Sequence, residues 1–330
     1  YRFSMAQVKY AVVVGCDYED PPDCPMKKQY PELSGCINDA NSVHDILFER
    51  FGFTKTCVSL LTDKPDSKIK PTAALIKLVL EKLLSGAKAG DVVFLFFAGH
   101  GTIIRAKDSS TKRDEQAIVA SDLNLITRVD FRKILNGATK GVEFIIMSDS
   151  CNSGGLIDQA KEQIGPGAPS TRRAIDDPNC RSRFVPFDVI VRALFGAPSR
   201  ARDNQVNVQT LFMQKFGADA SLVFQNTPLP QNNRVLGRSL SSNEGLPGIL
   251  MSGCQSNEEG QETKYSCGDG KMHGAFTCSV LKVLKQHPKP ITTYDLVSRA
   301  RDFIKTLQLK QAQHPCLYCS DRNVKFELRK

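Results

Sequence analysis

The chain has 330 residues, of which 41% are hydrophobic and 24% charged, with a formal net charge of +9. That length holds one large core, or a large core with a smaller companion unit, and the composition is that of an ordinary globular protein. No apolar stretch approaches the roughly 20 residues that span a bilayer as a helix, and no apolar signal-peptide core precedes or follows Met5, which reads as the natural start; a cytoplasmic or nuclear chain is expected rather than a secreted one.

Lys9 to Gly15 reads as a buried strand. Asn38 to Arg50 follows as a helix, with Ala40, Val43, Ile46 and Leu47 at helical spacing, and Ser59 to Thr62 as a short strand. Thr72 to Leu84 reads as a helix opened near Pro71, its apolar face made by Leu75, Leu78, Val79 and Leu83. The run Val92-Val93-Phe94-Leu95-Phe96-Phe97 is a strand buried on both faces, and Phe144-Ile145-Ile146-Met147 is another. Between them lie a polar loop and a helix at Val129 to Leu135. Alternating strands and helices imply an α/β fold, a mostly parallel sheet flanked by helices. From residue 165 the character changes: 165–183 is rich in Gly, Pro, Ser, Arg and Asp and reads as an exposed loop or linker. Short helices are expected at Pro186 to Leu194 and Val208 to Phe216, and 226–247 is again loop-like. Gly248 to Met251 restarts a buried strand, followed by helices at Ala275 to Lys285 and Thr293 to Leu307. The organisation expected is therefore 5–164 as a large α/β region, 165–247 as a linker and 248–330 as a smaller α/β region.

The basic residues are scattered, with short clusters at Lys27-Lys28, Arg172-Arg173 and Arg181-Ser182-Arg183. No nucleic-acid-binding pattern accompanies them, so nucleic acid is not an expected partner. The 11 cysteines would suit a disulfide scaffold in a short secreted chain; here most are expected to be reduced, and Cys16, Cys36, Cys254 and Cys278 sit in apolar surroundings as small hydrophobes. Cys316-Leu317-Tyr318-Cys319 is a lone pair without the further ligands zinc needs, so core packing is the plainer reading and a redox pair the alternative.

The two buried strands carry the chemistry. One ends in Ala98-Gly99-His100-Gly101, the other in Ser148-Asp149-Ser150-Cys151-Asn152-Ser153-Gly154-Gly155. In an open parallel sheet, ligands bind beyond the carboxyl ends of the strands. A Cys-His hydrolase would place its nucleophile, Cys151, and its base, His100, in this way. The Gly101 and Cys151 N–H groups would face the developing oxyanion if both turns open on one cleft. A lone His or a lone Cys at a strand end is more often merely structural; the pair in these glycine-rich contexts favours catalysis.

These two motifs resemble those of the caspase-like cysteine peptidases, specifically the metacaspases. Leu33-x-Gly35-Cys36-x-Asn38-Asp39, Gly155-Leu156-Ile157-Asp158 with Glu162-Gln163-Ile164-Gly165, Gly248-Ile249-Leu250-Met251-Ser252-Gly253-Cys254-Gln255 and Gln313-His314-Pro315-Cys316 narrow the resemblance to the type II metacaspases of plants and algae. The resemblance implies a caspase-like sheet built from p20-like and p10-like regions joined by a linker. It implies cleavage after Arg or Lys by the Cys151–His100 dyad. In caspases the position two before the catalytic Cys is an uncharged Gln; here it is Asp149, and with Asp39 it would give two carboxylates for a guanidinium or ammonium at P1. Cys36 and Ala98 belong to the same S1 wall by the family pattern. The plainer alternatives are a helix N-terminal charge for Asp39 and a solvated strand end for Asp149. Two departures stand out: the family usually has Ser where this chain has Ala98, and His where it has Asn152.

The resemblance further implies calcium as an activator, with Asp114, Glu115 and Asp158 carried over as ligands and Asp108 as a weaker candidate in the same loop. Without it, solvated acids among Lys107, Lys112 and Arg113 would be the preferred reading. It implies a zymogen whose linker blocks the cleft until it is cut after a basic residue: Arg183 first, Arg181 second, with the Arg183 side chain against Asp39 and Asp149. Protein or peptide substrates and a monomer are expected. A legumain-like peptidase of the same clan lacks its expected leader and acidic compartment here. A non-catalytic scaffold, in peripheral contact with an acidic membrane through the basic surface, is the reading against which the intact dyad argues.

Overall fold

The computed structural model describes residues 7–19, 30–111, 113–151, 153–157, 161–165, 180–196, 207–225, 248–264, 267–307, 309–327 and 329. The proposed calcium ligand Asp158, the departure at Asn152, and linker residues 166–179, 197–206 and 226–247 lie outside them.

In chain order the first half comprises β1 (Lys9–Gly15), α1 (Cys36–Glu49), β2 (Val58–Thr62), α2 (Ala73–Gly86), β3 (Val92–Ala98), β4 (Gly101–Ile104), β5 (Glu115–Val119), β6 (Leu125–Thr127), α3 (Arg128–Asn136) and β7 (Glu143–Asp149). The second half adds β8 (Lys161–Ile164), β9 (Cys180–Ser182), α4 (Phe187–Phe195), α5 (Val208–Phe216), β10 (Ile249–Ser252), β11 (Gln261–Thr263), β12 (His273–Gly274), α6 (Ala275–Gln286), α7 (Thr293–Ile304) and β13 (Cys316–Cys319). The main sheet has seven strands in the order β2-β1-β3-β7-β10-β13-β8. From β2 to β10 all neighbours are parallel; β13 and β8 close the sheet antiparallel. The sheet is thus mostly parallel and flanked by helices, as expected. The strands of the C-terminal region continue it directly beside β7.

β3 is buried along its whole length and β7 in all but its first residue, which is why both read as unbroken apolar runs rather than alternating ones. α1 buries Ala40, Val43 and Leu47, and α2 buries Ile76, Leu80 and Leu84 beneath an N-cap in which the Thr72 side chain accepts from Leu75 N. The register sets Gly15 against Ala98 and Ala98 against Asp149, so the carboxyl ends of β1, β3 and β7 are level. A Cβ on Gly15 would lie 2.5 Å from the Cys36 carbonyl oxygen. The glycine lets α1 start against the end of β1, bringing Cys36 and Asp39 to the mouth of the sheet.

Three expectations are corrected. α2 turns Ile76, Leu80 and Leu84 inward rather than Leu75, Leu78, Val79 and Leu83, and Leu78 is exposed. The stretch after His100 is not simply a polar loop: β4, β5 and β6 form a small antiparallel sheet. Nor is the described end of the 165–183 segment a wholly exposed loop: Cys180 and Arg183 are buried, and only Arg181 is exposed. Cys180–Ser182 pairs antiparallel with β11, and Arg183 is fully buried. Polar composition implies exposure only where the polar groups lack partners, and Arg183 has them. Further along the linker, Phe187, Phe212 and Phe224 stack, with Phe212 and Phe224 4.1 Å apart. Asp130 fastens this segment by accepting from the Ser221 hydroxyl and Leu222 N. All ten described cysteines are free; Cys316 and Cys319 are buried in β13, as the packing reading expects.

Beyond β1, Asp17 Oδ1 accepts from Cys36 N at 2.8 Å and so caps α1. Burial pushes the Asp17 carboxyl up to about 7, against the Cys36 N–H and Arg183, which favour its charge, while Glu262 and Asp63 add to the rise. Its folded value thus exceeds its unfolded one. The resulting stabilisation is fully present below the ordinary carboxylate range and is lost as pH rises through about 7. Asp17→Asn, which keeps the acceptor, is expected to flatten the fall in melting temperature between pH 5 and pH 8 in thermal unfolding. An unchanged pH dependence would assign that fall to other groups.

Candidate active site

His100 follows β3 and is fully buried. Its Nε2 lies 2.8 Å from the Pro31 carbonyl oxygen. A carbonyl only accepts, so Nε2 carries the proton and the Nδ1 lone pair is free. Nδ1 is buried and makes no hydrogen bond, with the Arg183 backbone acting on the ring. Tyr18 stacks on the imidazole at 4.8 Å and Tyr30 meets it edge-on at 5.5 Å. The Tyr18 hydroxyl accepts from His100 N and donates to the Val119 carbonyl. Tyr18 holds a left-handed backbone, φ 60°, uncommon for a side chain of this size. The Asp63 carboxylate fixes it by accepting from Tyr18 N and Asp17 N. Burial lowers the His100 pKa to about 4, so the ring is neutral near pH 7.

Cys151, at the end of β7, is also buried. Its Sγ accepts from Gly260 N at 2.9 Å and faces the Gly260 carbonyl at 3.5 Å. Burial, then the neighbouring Cys254 thiol, raise its pKa well above the ordinary thiol value. Among the described hydrogen bonds none joins Cys151 to His100. The two turns nevertheless abut: a Cβ on Gly101 would fall 1.8 Å from the Cys151 carbonyl oxygen.

Arg183 occupies the space between them and the mouth of α1. Its Nη2 donates to Asp39 Oδ2 at 2.6 Å and lies 3.6 Å from Glu262 Oε2. Its Nη1 donates to the Asp149 carbonyl at 2.8 Å and lies 3.2 Å from Asp149 Oδ1. Every carboxylate around it is held from behind. Asp39 accepts from His273 Nδ1 and Gly274 N, Asp149 from Thr277 N and Oγ1, and Glu262 from Ser34 N and Gly35 N. Burial opposes charge on His273, but Asp39 and Asp269 outweigh it and lift its pKa to about 9. Cys36 lies close enough to act on the guanidinium, and a Cβ on Gly274 would come within 2.4 Å of Nη1. Ala98 is buried beside Asp149 in the register.

The main chain here runs as an extended peptide would. Arg183 N donates to the Gly260 carbonyl at 2.8 Å, Gly101 N donates to the Arg183 carbonyl at 2.9 Å, and Val185 N donates to the Gly101 carbonyl at 3.1 Å.

The caspase domain family matches residues 8–327. Metacaspase-9 of Arabidopsis thaliana is 38% identical over 326 residues, covering 97% of this chain and 96% of that one. Metacaspase-6 of the same plant is 31% identical over 350 residues, covering 89% and 94%. This chain belongs to the metacaspases. It is therefore a cysteine peptidase of the caspase-like fold. A solved protein from Geobacter sulfurreducens shares that fold at TM-score 0.61 and 19% identity, each chain covered to 97%.

Within this metacaspase the expected S1 residues and Arg183 converge, and Arg181 does not join them: it is exposed, 3.5 Å from the Glu32 carbonyl. Sequence reading missed the third carboxylate, Glu262, and the main-chain groups of Gly260 and Pro31. Glu262 lies in a stretch with no strand pattern of its own, and main-chain contacts leave no trace in side-chain identity. Tyr18, adjoining the first strand's end, offered only a weak signal. Of the expected calcium ligands, Asp114 and Glu115 lie among the described residues, and each is engaged by arginine. Asp114 pairs with Arg105 at 2.7 Å, and buried Glu115 accepts from Arg128 and Arg113 at 2.6 and 3.0 Å. Asp108 closes the short turn Ala106–Asp108. Among the described residues no group of three or more His, Cys, Asp or Glu is arranged to hold a metal. The three guanidiniums of Arg105, Arg113 and Arg128 would compete with a cation for these two carboxylates.

Proposed function

We propose that this metacaspase is an endopeptidase that cleaves after Arg or Lys, with Cys151 as nucleophile and His100 as base, and that it is made as a zymogen which cuts its own linker after Arg183. The observation that carries the reading is the placement of one residue: the Arg183 guanidinium sits among Asp39, Asp149 and Glu262 while its carbonyl accepts from Gly101 N. A Lys ammonium would meet the same carboxylates as a point charge, without the fork.

In this mechanism the Cys151 thiol gives its proton to His100 Nδ1 as sulfur attacks the carbonyl carbon. The oxyanion forms on the Gly101 N–H, with Cys151 N–H as the second donor. The imidazolium then protonates the leaving amine, and water, deprotonated by His100, releases the acyl group. In the uncut chain both partners are neutral and the thiol faces Gly260, so sulfur must turn toward the carbonyl before the first step. A monomer fits this reading, since edge strand β8 exposes Lys161 and Glu162, charges that discourage strand addition.

Calcium activation rests on the family resemblance alone, and no step is routed through the ion. The test is hydrolysis of fluorogenic peptides ending in Arg, Lys or Asp, in chelator and in calcium, with the chain's own cutting followed on a gel. Cleavage after Arg and Lys but not Asp is expected, with a cut after Arg183. Failure on every basic peptide in both buffers would remove the specificity and advance the scaffold reading. Equal rates in both buffers would remove calcium alone.

A further inference from the structure

Resting on the proposal that the linker lies in the cleft as a substrate, the residue just before Arg183 faces a subsite of its own. Ser182 donates from its hydroxyl to Glu259 Oε2 at 2.6 Å and accepts from Phe184 N at 3.0 Å. Glu259 is half-buried, and no described cation is paired with it. It immediately precedes Gly260, whose N–H holds the Cys151 sulfur and whose carbonyl holds Arg183 N. A carboxylate only accepts hydrogen bonds. Its selectivity is therefore set by what a neighbouring side chain can donate.

We propose that Glu259 forms the S2 subsite and selects a hydrogen-bond donor or a cation at P2, so that the preferred sites are Ser, Thr, Lys or Arg followed by the P1 Arg. A serine hydroxyl already reaches Oε2. A lysine or arginine stem reaches the same half-exposed carboxylate and keeps its charged end partly in water. An aspartate at P2 would set like charges face to face. Such a P2 cation would act on the reaction as well as on binding. After burial and Cys254, the Glu259 charge is among the influences that hold the Cys151 thiol protonated, and a P2 cation would offset it. Paired basic sites are thus the substrate class this cleft fits, and the chain's own Ser182-Arg183 is its hydroxyl counterpart.

The test is a peptide series identical except for Lys, Ser, Ala or Asp at P2 before a P1 Arg, assayed on the self-cut enzyme as wild type, Glu259→Gln and Glu259→Lys. Wild type is expected to prefer P2 Lys over P2 Asp by about 30-fold in kcat/KM, the size expected for a close, partly desolvated charge pair set against a like-charge one. Glu259→Gln should shrink that ratio to about threefold, and Glu259→Lys should invert it. The rising limb of the pH–rate profile should lie lower for P2 Lys than for P2 Ala in wild type only. In the uncut chain, Ser182→Lys should be cut after Arg183 faster than Ser182→Asp, a comparison that needs no added peptide. A ratio unchanged in Glu259→Gln, or equal cutting of both Ser182 variants, overturns the S2 assignment. If Arg remains required at P1 in those same assays, the underlying specificity stands without it; if no Arg peptide is cleaved and neither Ser182 variant is cut, both readings fall.

Discussion

Cys151→Ala is expected to lower hydrolysis of Arg peptides by about a thousandfold or more, the usual cost of losing a nucleophile, and to leave the linker uncut. The buried Cys151 sulfur meets the Gly260 main chain, and Cys→Ala removes a single atom, so the smaller side chain costs only a modest cavity and the uncut chain should fold. The informative arm is the comparison with Cys254→Ala. Cys254 is equally buried, its sulfur facing the Ser150 and Glu258 carbonyls, and it differs in lying off the strand end that faces Arg183. Retained activity in Cys254→Ala beside loss in Cys151→Ala would assign the nucleophile. Equal loss in both would point to structural damage and undermine the dyad.

The second large effect is on stability. In a Cys151→Ala background, where no cutting occurs, Arg183→Ala is expected to destabilise the uncut chain by about 3 kcal/mol or more, since removing one partner of a buried ion pair strands the other. Here three fully buried carboxylates share one guanidinium. Burial already raises Asp149 and Glu262, with Arg183 the main opposing influence. Without Arg183 these acids would take up protons or open the cleft to water. Arg183→Lys, which keeps a cation but loses the fork, should recover part of the loss. A melting temperature unchanged by Arg183→Ala would mean that the pocket opens to water without penalty, and the linker would then be a weak plug.

Much of this was legible in the residues. Lys9–Gly15 and Val208–Phe216 form the elements their patterns predict, because unbroken apolar runs and 3.6-residue spacing are local signals. The meeting of Arg183 with Asp39 and Asp149 was also foreseeable, though from the family resemblance and not from any local pattern. β9 was not: Cys180-Arg181-Ser182 has no strand pattern of its own and is ordered by the edge of β11. Glu262 escaped for the same reason. It lies 227 residues from the Gly35 N–H it accepts from, and nothing local marks it as a pocket wall.

The aromatic stack behind the linker bears on what a cut after Arg183 leaves behind. Residues on the far side of that bond, gathered around Phe187, Phe212 and Phe224, remain tied to the first half by Asp130, which accepts from Ser221 and Leu222 N, by Ser110 N donating to the Val223 carbonyl, and by the β7–β10 pairing in the middle of the sheet. Severing the backbone at one point therefore yields two polypeptides in one particle. The event is irreversible for the chain and nearly silent for the scaffold. It frees one strand to leave the groove while the walls of that groove stay where they were built.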